Sequence, residues 1–322
     1  MIIENKIDEV KEILKDKEVA IAFSGGADST LMAYLAKDVC KRVLAITIDN
    51  NILPPSFIEN TEKFCRSLNI PQEIIFEDFY NHEDIISNNH DRCFLCRKEM
   101  YRHIFSVAND NGFSTIVDGT NISDLVIDRP GILINYENDV LSPFVKARLT
   151  SKEIHEYLNR NNIPYSSSTT CLATRIPFDD RFTKDAYERI SDSEEFVYNN
   201  SDCKIVKVRE NSSTATVEVD SIENLIDNDK LGLITTYLKG KGYEKVLLNL
   251  TEIESDEDIH IEFSNNEFSY MLPYGIDLEK TFIDDENIDV YENGLIVGRN
   301  FESYDSALNS FMDILPMIRR QI

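Results

Sequence analysis

The sequence predicts an α/β fold: a parallel sheet with helices on both faces, followed by a smaller α+β domain and an acidic C-terminal extension. Three observations carry this. Over residues 1–150, short continuous apolar runs alternate with helical stretches, the pattern of strands buried on both faces joined by crossover helices. From residue 151 to 255 capped helices and paired, alternating strands replace it. Residues 256–322 are rich in acid, and the stretch from 251 onward holds 17 acidic residues against 4 basic ones.

Val19-Ala20-Ile21-Ala22-Phe23 is the first apolar run, and a helix is predicted from Ser29 to Val39. Val43 to Ile48 reads as a second strand, Ser56 to Ser67 as a helix, and Glu73 to Phe76 as a third strand. A helix is predicted over Arg97 to Asn109, closed by Gly112, and Thr115-Ile116-Val117-Asp118 begins another strand. Thr150 or Ser151 caps a helix that runs to Arg160 and stops before Pro164. Ser166-Ser167-Ser168-Thr169-Thr170 reads as a loop, and Lys184 to Val197 as a helix. Strands over Ile205–Val208, Thr214–Val219 and Lys245–Leu248, with a helix near Leu231–Leu238, complete the α+β unit. Beyond it come three or four short strands and a closing helix, Ser306 to Arg319.

The 322 residues are 42% hydrophobic and 28% charged, an ordinary globular balance. No run approaches the ~20 apolar residues of a spanning helix, so no membrane partner is expected. Met1 to Lys6 lack the pattern of a signal peptide, and the expectation is a cytoplasmic protein whose six cysteines are thiols. A net charge of −25 argues against a nucleic-acid partner, which would call for a basic face.

The sharpest signal is Ser24-Gly25-Gly26-Ala27-Asp28-Ser29, between the first strand and its helix. Two glycines let backbone N–H groups approach a ligand, the helix start adds partial positive charge, and the two serines add hydroxyls. Together they form a nest for a polyanion such as a pyrophosphate. Asp28 fits if it orients the loop or holds a Mg²⁺ that bridges phosphates.

The second signal is Cys93-Phe94-Leu95-Cys96. Alone it is half of a zinc site, a redox pair, or part of an iron–sulfur site. No second pair completes a four-cysteine zinc site, and Cys171 is the best third partner. Cys40 and Cys65 read as core thiols, and Cys203 carries no signal. Three thiolates without a fourth would leave one iron of a 4Fe–4S cluster open to a non-protein ligand.

The hexapeptide at 24–29 resembles the PP-loop of the ATP pyrophosphatases. The chain from about residue 5 to 255 is similar to the LarE-type sulfur transferases, a PP-loop family. Besides the loop, the resemblance rests on residues 91–97, Asp118-Gly119-Thr120-Asn121, Asp128-Arg129-Pro130-Gly131, Ser142-Pro143-Phe144 and Cys171-Leu172-Ala173-Thr174-Arg175-Ile176-Pro177. It implies a Rossmann-like sheet and an ATP-dependent enzyme. Such an enzyme adenylates a carboxylate of a pyridinium dicarboxylate mononucleotide, releases pyrophosphate, and delivers sulfur to give a thiocarboxylate of the nickel-pincer nucleotide precursor.

One branch of the family consumes its own cysteine at the position of Cys171. The other uses a 4Fe–4S cluster on three cysteines, here Cys93, Cys96 and Cys171, together with ATP and Mg²⁺. The resemblance assigns ATP to Ser24, Gly25, Gly26, Asp28, Ser29, Thr47, Asp118, Gly119 and Thr120. It assigns the substrate to Arg129, Arg175, Lys207 and Arg209. Catalytic roles would fall to Asp28, Cys171, Arg175, Glu195, Arg209 and Glu218. The implied partners are a small nucleotide substrate, inorganic sulfide or a sulfide donor, and further copies of the chain in a homo-oligomer.

One departure stands out. The family usually has Ala-Arg-Ile-Glu where this chain reads Ala215-Thr216-Val217-Glu218, which bears on the identity of the substrate. The rival readings are a PP-loop enzyme that thiolates tRNA, a PP-loop ligase that forms amides, and a nucleotide-binding regulator with a degenerate site. The segment beyond 255 lies outside the resemblance.

Overall fold

Four strands, β1 (Glu18–Ala22), β2 (Arg42–Asp49), β3 (Gln72–Phe76) and β4 (Thr115–Val117), form an all-parallel sheet in the order β3-β2-β1-β4. Val19 lies opposite Val43 on one side and Thr115 on the other. The computed structural model describes residues 3–166, 170–226, 228–253 and 258–321, and of Asn228 the backbone alone. Ser167, Ser168 and Thr169 of the expected loop, and the expected boundary at 255–256, lie outside the described residues.

Alternation along the strands builds two cores. Val19 and Ile21 face Leu31, Leu35 and Leu158, while Ala20, Leu44, Ile46 and Ile48 face Tyr101 and Ile104. Helices therefore cover both faces, and the α/β reading is borne out. The helix Ile3–Leu14 was not anticipated, although Ile3, Ile7, Val10 and Leu14 recur at helical spacing and the last three are buried. The helix Ser151–Arg160 has the expected start. Glu153 N–H donates to Thr150 Oγ1 (3.2 Å), and Thr150 N–H donates to Glu153 (3.0 Å).

A second sheet, in the order β5-β6-β7, contains β5 (Val206–Asn211), β6 (Thr214–Val219) and β7 (Lys245–Leu248). The first pair is antiparallel and the second parallel. The third sheet is antiparallel, in the order β10-β11-β9-β8, with β8 (Glu262–Ser264), β9 (Glu267–Met271), β10 (Ile288–Val290) and β11 (Leu295–Gly298). Its core, built on Phe268, Ile296 and Phe311, also takes in Ile122, Leu125 and Val145. Among the described residues no helix is long and apolar enough to cross a membrane.

Candidate active site

The phosphate loop leaves β1 and turns into the helix Ala27–Val39. Gly25 has φ +71°, a left-handed conformation natural to glycine. Gly26 caps the helix without any side-chain acceptor, so the first amides stay available for an anion. The hydroxyls of Ser24 and Ser29 lie 3.1 Å apart, and Ser24 N–H donates to Ser29 Oγ (3.2 Å).

The end of β4 presses against this loop. A Cβ on Gly119 would sit 2.7 Å from Asp28 Cβ and 2.9 Å from the Ser29 nitrogen. The neighbouring Asp118 is a hub: Arg97 (2.6 Å), Tyr101 (3.0 Å), Thr120 (2.6 Å), Asn135 (2.8 Å) and Ser142 (2.9 Å) all donate to its carboxylate. Burial alone would raise its pKa, but Arg97 and these donors hold it below the ordinary value.

Asp28 behaves in the opposite way. Burial first, and then the charge of Asp124, push its pKa up to about 7; Arg129, His155 and the amide of Asn121, which donates to it at 3.1 Å, pull the other way. Between about pH 4 and 7 the folded chain therefore holds a proton that an unfolded aspartate, with a pKa of about 3.9, gives up. Stability conferred by that proton falls as pH rises through this window. Asp28→Asn should leave the melting temperature unchanged at pH 4 and raise it by about 5 °C at pH 8. Parallel melting curves of the two proteins measure this; a pH-independent difference would refute it.

The cysteine pair does not precede its helix. The helix begins at Arg92 and runs to Asp110, so Cys93 and Cys96 lie in its first two turns, three residues apart and on one face. Cys93 is exposed; Cys96 and Cys171 are half-buried. Burial, then Cys171 and Cys93, drive the Cys96 pKa far up, and burial raises that of Cys171 with Cys93 adding to it. The three thiols are thus electrostatic neighbours. Arg92 ties them together: buried, it donates to Ala173 O (2.9 Å) beyond Cys171 and lies 3.3 Å from Cys93 Sγ.

The three sulfurs do not all lie within 4.8 Å of one another; among the described residues only Glu77, Glu99 and His103 form such a group. One zinc ion, with bonds of about 2.3 Å, needs sulfurs about 3.8 Å apart.

Cys96 and Cys171 line the same cavity as Ser24, Asp28, Ser29, Asp118, Gly119, Thr120 and Arg129, about 300 Å³ in volume. A second cavity, about 430 Å³, lies across the short turn 172–175 and is lined by Leu172, Arg175, Glu194, Glu195 and Lys207.

A model of the PP-loop domain matches residues 1–126. Residues over 75% of the chain are 31% identical to an uncharacterised protein of Methanocaldococcus jannaschii, covering 92% of that relative. A pyridinium-3,5-bisthiocarboxylic acid mononucleotide synthase of Lactiplantibacillus plantarum is 23% identical over 74% of the chain and 87% of its own length. The chain belongs to the LarE-type PP-loop sulfurtransferases. Its chemistry is ATP-dependent transfer of sulfur.

Of the residues the LarE resemblance singles out, Thr47 stays away from the cavity. Its side chain donates to Phe23 O (3.0 Å) and accepts from Gln72, while Ile46 and Ile48 on either side of it line the cavity. Strand alternation explains the difference. Arg129 reaches the first cavity paired with Asp124.

Arg175 is buried in a pair with Glu194 (2.5 Å), with one guanidinium nitrogen, Nη2, left without a partner. Glu195, one residue on, is exposed. Arg209 pairs with Glu218 (2.8 Å) and donates to Thr174 O (2.8 Å), tying β5 to the cysteine turn. Lys207 is half-buried with no hydrogen bond or ion pair among the described residues; burial and then Arg175 and Arg209 lower its pKa.

Arg92 and Arg97 fall within the motif at residues 91–97 but receive no role from the sequence. A charged residue on each flank of the cysteine pair was the available signal.

Proposed function

We propose that this LarE-type enzyme adenylates a carboxylate of a pyridinium dicarboxylate mononucleotide, releases pyrophosphate, and then delivers sulfur to give a thiocarboxylate and AMP. The observation that carries the reading is the shared cavity, with Ser24, Asp28 and Ser29 on one wall and Cys96 and Cys171 on another.

A carboxylate is a poor acceptor of a nucleophile, and esterification by AMP turns its oxygen into a leaving group. The amides of residues 24–29 would hold the ATP phosphates, and Asp28 would hold a Mg²⁺ that offsets charge on the departing pyrophosphate. Cys93, Cys96 and Cys171 would hold a 4Fe–4S cluster, which when bound supplies an open iron able to carry an exchangeable sulfide. Arg175 and Lys207 would anchor the anionic substrate in the second cavity. The unpaired Lys207 ammonium and the Arg175 side chain in the same lining support this.

With the dicarboxylate substrate, phosphorus NMR should record AMP and pyrophosphate in equal amounts, and Asp28→Ala should lose most turnover. ADP and orthophosphate as products would overturn the reading.

A further inference from the structure

We infer that the C-terminal extension braces the phosphate-loop cavity, and that Arg320 is a positioning residue that sets where Arg129 meets the nucleotide. The inference rests on the reading that this cavity takes ATP. The extension lies outside the LarE resemblance, which gives it no role.

The link is the segment 122–137. It is built from two single 3₁₀ turns, Ile122–Leu125 and Pro130–Ile132, and a five-residue helix, Leu133–Glu137. No strand ladder or long helix fixes it, so its position depends on what it packs against. From one side Asp124 and Arg129 reach the cavity. The other side lies on the extension. Ile122 and Leu125 are buried in one core with Phe268, Ile296 and Phe311. Tyr274 Oη donates to Leu125 O (2.5 Å). The Arg319 guanidinium lies 3.6 Å from the centroid of the Tyr136 ring. Arg320 pairs with Asp128, the residue before Arg129. The chain end that carries both arginines is itself laced to residues 275–277: Asp277 N–H donates to Arg319 O (2.8 Å) and Gln321 N–H to Gly275 O (2.8 Å).

Arg129 thus sits between two anchors. On its other flank, Gly131 packs so closely on the cysteine helix that a Cβ there would lie 2.7 Å from Arg97 Cδ and 3.4 Å from Cys93 O. Arg129 in turn pairs with Asp124. Asn121 N–H donates to Asp124 (3.0 Å), and the Asn121 side-chain amide donates to Asp28 (3.1 Å). A line of ion pairs and hydrogen bonds therefore runs from the chain's end to the phosphate loop. Asp128 is exposed, and an ion pair of that kind adds little to stability. Its effect is placement, because a cation displaced by about 1 Å loses much of its hold on a phosphate.

The test uses the full chain and the α,β-methylene analogue of ATP with Mg²⁺, titrated by calorimetry. Arg320→Ala should weaken binding about tenfold, while the melting temperature stays within about 2 °C of the parent. Arg320→Lys, which keeps the cation, should bind within about threefold of the parent. Arg129→Ala should weaken binding at least as much as Arg320→Ala. Adding Arg320→Ala to it should change nothing further, because one residue acts through the other. Binding unaltered by Arg320→Ala, or losses that add in the double variant, would overturn the inference. Hydrogen exchange without nucleotide judges the brace separately. Arg320→Ala should speed exchange about tenfold over residues 122–132 and leave β1 and the helix Ala27–Val39 as in the parent. Unchanged exchange in that segment would refute the brace, whereas a parent chain that fails to bind the analogue would sink the ATP reading alone.

Discussion

Replacing Gly119 with alanine should cut ATP-dependent turnover by about 100-fold or more while the protein stays folded. The added methyl would lie 2.7 Å from Asp28 Cβ, 2.9 Å from the Asp28 carbonyl carbon and 2.9 Å from the Ser29 nitrogen. Two of these are backbone atoms of the phosphate loop, so no side-chain rotation relieves the overlap. Either the end of β4 retreats or the loop moves. Retreat is resisted by Asp118, whose carboxylate is held by Arg97, Tyr101, Thr120, Asn135 and Ser142. The loop must therefore shift, and displacing amides by about 1 Å from their phosphates is enough for a loss of this size. Gly232→Ala is the control: a Cβ there meets nothing within 4 Å, and alanine in a helix should stabilise by about 0.5–1 kcal/mol. Pyrophosphate release and melting curves on both variants measure the contrast. Turnover of Gly119→Ala within threefold of the parent would show that the loop tolerates the methyl.

The phosphate loop was legible because its chemistry is local. Two glycines and two serines between a strand and a helix specify a nest whatever the rest of the chain does. The parallel sheet was legible because strands buried on both faces are continuous in apolar residues. What was missed depends on partners far along the chain. Arg92 acquires its role from Ala173, 81 residues away, and Arg97 from Asp118, 21 residues away. The cysteine helix begins at Arg92, five residues before the predicted Arg97, because the motif Cys93 to Cys96 carries no helical signature of its own. Thr47, which the family resemblance assigns to the nucleotide, faces away from the cavity by the strand's period of two, and Ile46 and Ile48 line it instead. Glu194, which no sequence motif marks, holds Arg175, and only the packing of the helix Lys184–Asn199 against β5 and the turn 172–175 decides that.

Cys171→Ala should reduce thiocarboxylate formation by about 1000-fold or more and leave ATP–pyrophosphate exchange within threefold of the parent, since removing a group that acts as part of a unit costs rates of this order. In the proposed reaction adenylation would draw on the loop wall of the cavity and sulfur delivery on the cysteine wall, so the half-reactions should separate. The parent chain then decides what Cys171 does. If its own sulfur leaves, one product forms per chain and dehydroalanine remains at position 171. Burial and the neighbouring Cys93 raise the pKa of Cys171 and favour the thiol, a weak nucleophile at neutral pH. A thiol in that setting is better suited to losing its proton to a metal than to attacking unaided. The expected result, with sulfide and ATP supplied without air, is several product molecules per chain and an intact Cys171 by mass spectrometry. The anaerobic protein should be brown, and Cys93→Ala and Cys96→Ala should each lose that colour while Cys65→Ala, whose thiol burial pushes up to about 12, keeps it. A yield capped at one product, with the elements of H₂S missing from residue 171, would assign Cys171 to sacrifice and leave Cys93 and Cys96 without a role in transfer.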